Sequence, residues 1–270
     1  MKALSRSIRH ALVLATAALG LAACNTNKLV YPGSTMELPD AACGHPDNAI
    51  TITAGDGTQL CGWFFNRGAN TPLVVMFGGN AMNVGSFTTL AAADPSRSYL
   101  LMNYRGYGNS SGTPSEKAII SDARYSIRYA RNLMGNTSAP LYLVGFSLGS
   151  GVATQLATTE APAGLILVCP FDSMTSVACN VVPFFPRLLP MDSWKSVQYA
   201  PQVTCPVTIM RANFDDVVPA NSTEKLIRAF RTQPVIRNYP ANHNNIFATV
   251  GFANDLQQAM PITDSCQFDF

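Results

Sequence analysis

The chain has 270 residues, 47% of them hydrophobic and 13% charged, with a formal net charge of +2. That size and apolar content suit one globular domain with a large core. The low charge, with no basic cluster and no interleaving of aromatic and basic residues, excludes a nucleic-acid binder and a disordered chain.

The first residues stand apart from that domain. Lys2, Arg6 and Arg9 precede Ala11 to Ala23, an uncharged run of signal-peptide length, too short to span a bilayer as a helix. The run ends Leu21-Ala22-Ala23-Cys24, which resembles the lipobox of bacterial lipoproteins. The resemblance implies a signal peptide over residues 1–23. It implies a mature chain that starts at Cys24, lipidated with palmitate-type acyl chains. Each buried methylene of such chains adds about 0.8 kcal/mol of membrane affinity. The alternative is an ordinary secreted protein cleaved near Ala23. Asn25, rather than Asp, follows the cysteine, a pattern similar to Gram-negative outer-membrane sorting. The expected location is therefore the periplasmic face of the outer membrane. Residues 24–48 carry Pro, Gly and Ser and read as a tether.

The domain is expected over residues 49–270. Ile50 to Thr53 and Leu60 to Phe65 flank Gly55-Asp56-Gly57, a hairpin signal. Continuous apolar runs follow at Leu73 to Phe77, Tyr99 to Met102, Leu141 to Val144, Leu165 to Val168, Val207 to Met210 and Val235 to Tyr239. Such runs suit strands buried on both faces of a sheet. Helical candidates lie between them at Ser115 to Met134, Leu148 to Thr158, Ala220 to Phe230 and Asn245 to Met260. The alternation predicts a mainly parallel α/β sheet with an antiparallel hairpin at one edge. Residues 171–201 interrupt it with Pro183, Pro186, Pro190, Pro201, aromatics and few charges, and read as a small packed cap. Within it the apolar stretch from Val181 to Pro186 reads equally as an acyl-binding lid or as cap core.

Seven cysteines less Cys24 leave Cys43, Cys61, Cys169, Cys179, Cys205 and Cys266. An exported chain permits disulfides, and Cys43 with Cys61 is the favoured pair, both flanking the hairpin. Cys266 is expected to pair with Cys205 or Cys179, and buried free thiols are the alternative throughout. No Cys-x-x-Cys occurs, which argues against a redox motif or a zinc knuckle.

The chemistry concentrates at Gly145-Phe-Ser147-Leu-Gly149, between an apolar strand and a helix that opens on small residues. Gly-x-Ser-x-Gly in that setting is the nucleophile elbow, whose strained turn exposes the serine hydroxyl beside the free N–H groups of a helix start. A serine needs a base, usually a histidine held by a carboxylate. Of three histidines, His10 leaves with the signal peptide and His45 precedes the first strand. His243 follows the last strand, at the C-terminal sheet edge where α/β folds place their sites. Asp215 follows Val207 to Met210 and is the expected acid, with Asp216 the runner-up; one of the two is expected to cap the helix beginning near Pro219. Gly78-Gly79-Asn80-Ala81 follows a strand, so the N–H groups of Asn80 and Leu148 are expected to form an oxyanion hole. Arg105, in a glycine-rich loop, reads as a structural hydrogen-bond donor.

Phe77-Gly78-Gly79-Asn80-Ala81 and Tyr104-Arg105-Gly106-Tyr107-Gly108, taken with the elbow, resemble the α/β-hydrolases, from about Ile50 to Met260. The resemblance implies the α/β-hydrolase fold, with helices on both faces of the sheet. It implies a cap between the strands ending near Val168 and starting near Val207, and a triad of Ser147, Asp215 and His243. Two residues depart from the family pattern: Gly78 stands where histidine is common, and Ala212 where glycine is usual. The expected protein is an envelope-anchored serine hydrolase that cleaves an ester or thioester of a small acyl substrate. It contacts the membrane through Cys24 and takes no nucleic acid, metal or organic cofactor. A peptidase or amidase, or a non-catalytic binding lipoprotein, are the alternatives.

Overall fold

Short apolar runs with alternating side chains can bury both faces only inside a sheet flanked by helices, and the computed structural model realises this arrangement. It describes residues 28–35, 45–181 and 191–262. Eight strands form one sheet: β1 (Ala49–Thr53), β2 (Gln59–Phe65), β3 (Leu73–Phe77), β4 (Ser98–Met102), β5 (Leu141–Phe146), β6 (Gly164–Val168), β7 (Val207–Ala212) and β8 (Val235–Tyr239). Their order is β1-β2-β4-β3-β5-β6-β7-β8. β1 pairs antiparallel with β2, and β2 with β4; every later pair is parallel. The expected strands all form. The hairpin turn closes through Gly57, at φ 85°, with the Thr58 N–H donating to Asp56 Oδ1.

The two faces carry separate cores. Val75, Phe77, Leu143, Leu165, Leu167 and Ile209 face one side, with Ile119 and Ile127 of helix α2 (Glu116–Met134) and Val152 of α3 (Leu148–Ala157). Val74, Met76, Val144, Ile166, Val168 and Met210 face the other, with Phe252 and Leu256 of the last helix, α7 (Phe252–Gln258). A short helix, α1 (Thr88–Ala92), lies on this second face through Ala91 and was not evident from sequence. Helix α2 starts where Ser115 Oγ accepts the Ala118 N–H and stops at Gly135, at φ 73°. The expected helix Asn245 to Met260 is instead two pieces, a single 3₁₀ turn at Ile246–Ala248 and α7. Gly251, at φ 88°, separates them, a conformation no helix interior adopts.

Between β6 and β7 the described part of the cap carries α4 (Met174–Val181) and α5 (Ser196–Tyr199), followed after β7 by α6 (Ala220–Ala229). Phe171, Met174 and Trp194 bury against the first core, so the cap stem is packed rather than a loose excursion. The stretch from Val182 to Pro186 lies outside the described residues. The same holds for Cys24, Cys43 and Cys266, but the partners expected of the last two, Cys61 and Cys205 or Cys179, are all unbridged, so neither expected disulfide forms. Cys61, Cys169, Cys179 and Cys205 are free thiols. The expected tether contains a docked piece: Val30 and Tyr31 belong to the core. Among the described residues no helix is long and apolar enough to cross a membrane.

Candidate active site

The turn from β5 into α3 places Ser147 at φ 50° and ψ −116°. Only a few per cent of non-glycine residues have positive φ, and such strain persists where the surroundings enforce it. Here the Ser147 N–H donates to the Val168 carbonyl at 2.9 Å, and the Ser147 carbonyl accepts the Ser150 N–H at 2.8 Å. The flanking glycines are obligatory. A Cβ on Gly145 would lie 2.2 Å from the Gly149 carbonyl oxygen, and one on Gly149 would lie 2.2 Å from the Phe77 carbonyl oxygen. Strand, turn and helix touch backbone to backbone at this point, as Gly-x-Ser-x-Gly predicted.

The loops after β7 and β8 are tied together. The Asn213 N–H donates to the Tyr239 carbonyl at 2.9 Å and the Phe214 N–H to the Ala241 carbonyl at 3.0 Å. Those bonds set the next residues of both loops face to face. His243 Nδ1 lies 2.9 Å from Asp215 Oδ2 and 3.0 Å from Oδ1. Burial alone would raise the Asp215 carboxyl. The His243 bond and charge, with the Val218 and Val217 N–H groups, outweigh it and hold the group below the usual carboxylate range. An ionised carboxylate only accepts, so Nδ1 carries a proton, and in the neutral imidazole this leaves Nε2 as acceptor. Asp216 is exposed. Neither aspartate caps α6, whose N-cap Pro219 has no side-chain cap; Asp215 instead braces the turn before it.

Asparagines build the turn that presents His243. Asn242 Oδ1 accepts the Asn244 and Asn245 N–H groups, and Asn245 Oδ1 accepts the Asn242 N–H. The Phe146 ring lies against the imidazole, 5.0 Å between centroids. A Cβ on Gly79 would sit 3.2 Å from the same Phe146 ring and 3.7 Å from Ser147 Cβ. Elbow, histidine and the loop after β3 therefore meet around Phe146.

That loop is held by its carbonyls. The Tyr104 hydroxyl donates to the Gly78 carbonyl and the Tyr107 hydroxyl to the Asn80 carbonyl, each at 2.7 Å. Leu148 is the first residue of α3, whose opening N–H groups have no partner within the helix. At Gly78, where the family pattern has histidine, a Cβ would lie 3.1 Å from Val84 Cγ1 and 3.5 Å from the Met82 side chain. Met82 and Val84 occupy the space beside it, and Tyr104 supplies the support. Arg105 acts structurally, as expected: it clamps Asp122 through Nε and Nη2 at 2.7 and 2.6 Å and reaches Asp56 at 3.0 Å.

One residue here escaped the sequence reading. Cys169 directly follows β6 at φ 48° and is buried. Burial raises its thiol pKa, and the Asp215 charge and a hydrogen bond to Asp215 push it further up. Its place at the C-terminal end of a central strand was the available signal. Cys169, Asp215 and His243 offer donor atoms within 4.8 Å of one another, the grouping of metal-ligand type among the described residues. A borderline-soft divalent ion suits such a donor set. The carboxylate's bonds to imidazole and thiol already use those atoms.

A family model described as the alpha/beta hydrolase fold matches residues 72–190. The chain is 34% identical over 208 residues to the uncharacterized protein Rv2307c of Mycobacterium tuberculosis, covering 75% of this chain and 74% of the relative. It is 34% identical over 143 residues to the lysophosphatidylserine lipase ABHD12 of Danio rerio, covering 46% of this chain and 37% of that protein. The crystal structure of an alpha-beta hydrolase from Vibrio vulnificus superposes with a TM-score of 0.70 at 17% identity, over 96% of this chain and 95% of that one.

Proposed function

Because this chain belongs to the alpha/beta hydrolase family, we propose that it is a serine hydrolase working through an acyl-enzyme. The observation that carries the reading is the His243–Asp215 contact at 2.9 Å, beside the strained turn that holds Ser147. In this reading Ser147 Oγ attacks an acyl carbonyl while His243 Nε2 takes its proton. The N–H groups of Asn80 and Leu148 receive the oxyanion, each such donor contributing about 3–4 kcal/mol in the transition state. The C–O bond of an ester, or the C–S bond of a thioester, breaks as His243 returns the proton to the leaving group. Water, deprotonated by His243, then releases the acid and restores Ser147. Asp215 keeps the imidazole in the required tautomer throughout.

The proposed bond is a carboxylic ester or thioester of a small acyl substrate. The lipase name of the ABHD12 relative supports ester chemistry. No step of this mechanism uses a metal or organic cofactor. We place the enzyme at the envelope, anchored through lipidated Cys24, on the strength of the lipobox-like leader.

The test is hydrolysis of a p-nitrophenyl ester series from acetate to palmitate by wild type and Ser147→Ala. A rate abolished in the variant supports the reading, and the optimal chain length sizes the acyl site. Equal background rates, with no fluorophosphonate labelling of Ser147, refute it in favour of a binding lipoprotein. Labelling without ester turnover points to an amide or peptide substrate.

A further inference from the structure

The docked piece of the expected tether does more than cover the core. Val30 and Tyr31 are 1% and 0% exposed. The Tyr31 hydroxyl donates to Asp192 Oδ2 at 2.6 Å and accepts from Trp194 Nε1 at 2.9 Å. Asp192 Oδ2 also accepts the N–H of Glu116, the first residue of α2, at 2.7 Å. The Glu116 carboxylate in turn takes the Trp194 N–H and the Gln155 side-chain amide of α3. One buried hydroxyl thus joins the cap stem to the start of α2, and through Glu116 to the helix that leaves the elbow. Trp194 is itself strained, at φ 41°.

Two residues on, the Gly33 N–H donates to the Asn80 carbonyl at 3.1 Å, beside the Tyr107 hydroxyl at 2.7 Å. A Cβ on Gly33 would lie 2.4 Å from Tyr107 Cε1, so Gly33 and the tyrosine ring are in direct contact. Both lone pairs of the Asn80 carbonyl are then engaged, which fixes that peptide plane. The Asn80 N–H sits one peptide earlier, next to Gly79, which packs against Ser147. Gly78 and Gly79 leave this loop with little torsional restraint of its own, so its orientation has to be imposed from outside.

We propose that residues 30–34 are a positioning strap, in which Gly33 and Tyr31 orient the Asn80 loop and the cap stem so that the Asn80 N–H meets the developing oxyanion. The inference rests on the serine-hydrolase reading and adds to it a segment far from the elbow in sequence.

The test uses the full chain with Gly33→Ala, which drives a methyl into Tyr107, and Tyr31→Phe, which removes one oxygen and adds no atom. Three quantities are read: kcat and KM on a p-nitrophenyl ester, the fluorophosphonate labelling rate, and amide hydrogen exchange over residues 78–84. Gly33→Ala is expected to lower kcat about 10- to 100-fold and Tyr31→Phe about fivefold. KM should stay within about twofold, because the oxyanion contact forms only in the transition state. Exchange over 78–84 should quicken in both. A role in stability alone would lower the melting temperature and leave kcat of the folded protein unchanged, and that result overturns the proposal. Should Gly33→Ala fail to fold, Tyr31→Phe decides by the same readings. A wild-type protein without serine-dependent turnover or labelling sinks the hydrolase reading instead. Exchange then judges the strap alone: quickened exchange supports the loop clamp, and unchanged exchange refutes it.

Discussion

Replacing Gly145 by alanine tests the elbow most directly. The added Cβ would stand 2.2 Å from the Gly149 carbonyl oxygen, about 1.2 Å short of an ordinary 3.4 Å contact. The obstructing atoms are the backbone of Gly149 and Ser150, so no side chain can swing away; the turn itself must open. Overpacking of this kind costs about 1–3 kcal/mol, which lowers the melting temperature of a domain this size by about 2–12 °C. Opening the turn by that distance moves the Ser147 hydroxyl relative to His243, and a 1 Å misplacement costs about a hundredfold in rate. The assay is the second-order rate of fluorophosphonate labelling, with thermal unfolding measured alongside. Gly55→Ala is the control, since nothing lies within 4 Å of its added Cβ and its φ is not positive. Gly149→Ala should behave like Gly145→Ala by pressing on the Phe77 carbonyl at the base of the Asn80 loop. A folded Gly145→Ala that labels within twofold of wild type would refute the argument that the turn admits no side chain.

Other outcomes follow from the same contacts. Asp215→Asn should cut kcat by about 10⁴-fold, the loss measured for the equivalent change in chymotrypsin-type proteases, because an amide permits the wrong imidazole tautomer. The depressed Asp215 carboxyl stabilises the fold above its unfolded pKa of about 3.9, and this support is lost as pH falls through the folded value. Denaturant titrations of wild type and Asp215→Asn should therefore converge below about pH 4; a constant gap would contradict the sign. Arg105→Lys breaks the two-point clamp on Asp122 and is expected to cost about 2–4 kcal/mol in urea unfolding, with little effect on KM. Cys169, buried and with its thiol pKa raised, should resist iodoacetamide in the native protein while the half-buried Cys61 and Cys179 react; native labelling of Cys169 counts against this packing.

The elbow was legible because its constraint is local. Gly145, Ser147 and Gly149 lie within one turn, and the geometry of that turn dictates the residue types on either side. The parallel order of the sheet followed from apolar runs separated by helix-length segments, and chain order singled out His243 and Asp215 from very few candidates. Helix α2 was legible end to end because Ser115 and Gly135 mark its termini chemically. The split of the last helix was missed because a lone Gly251 inside a helical pattern reads as tolerated until its φ is known.

What the sequence determined alone was therefore the fold, the tight turn at Ser147 and the chain order of Asp215 and His243, all encoded in short-range periodicity and turn chemistry. Tertiary structure decided what depends on contacts between distant segments. It chose Asp215 over Asp216 by aiming one carboxylate at Nδ1, and set the Cys169 thiol beside it. It filled the space at Gly78 with Met82 and Val84 and gave the loop its support from Tyr104 and Tyr107. It also drew Tyr31 out of an apparent tether to bond Asp192, 161 residues away in sequence. Such contacts leave no periodic trace, because each depends on where two elements meet in space.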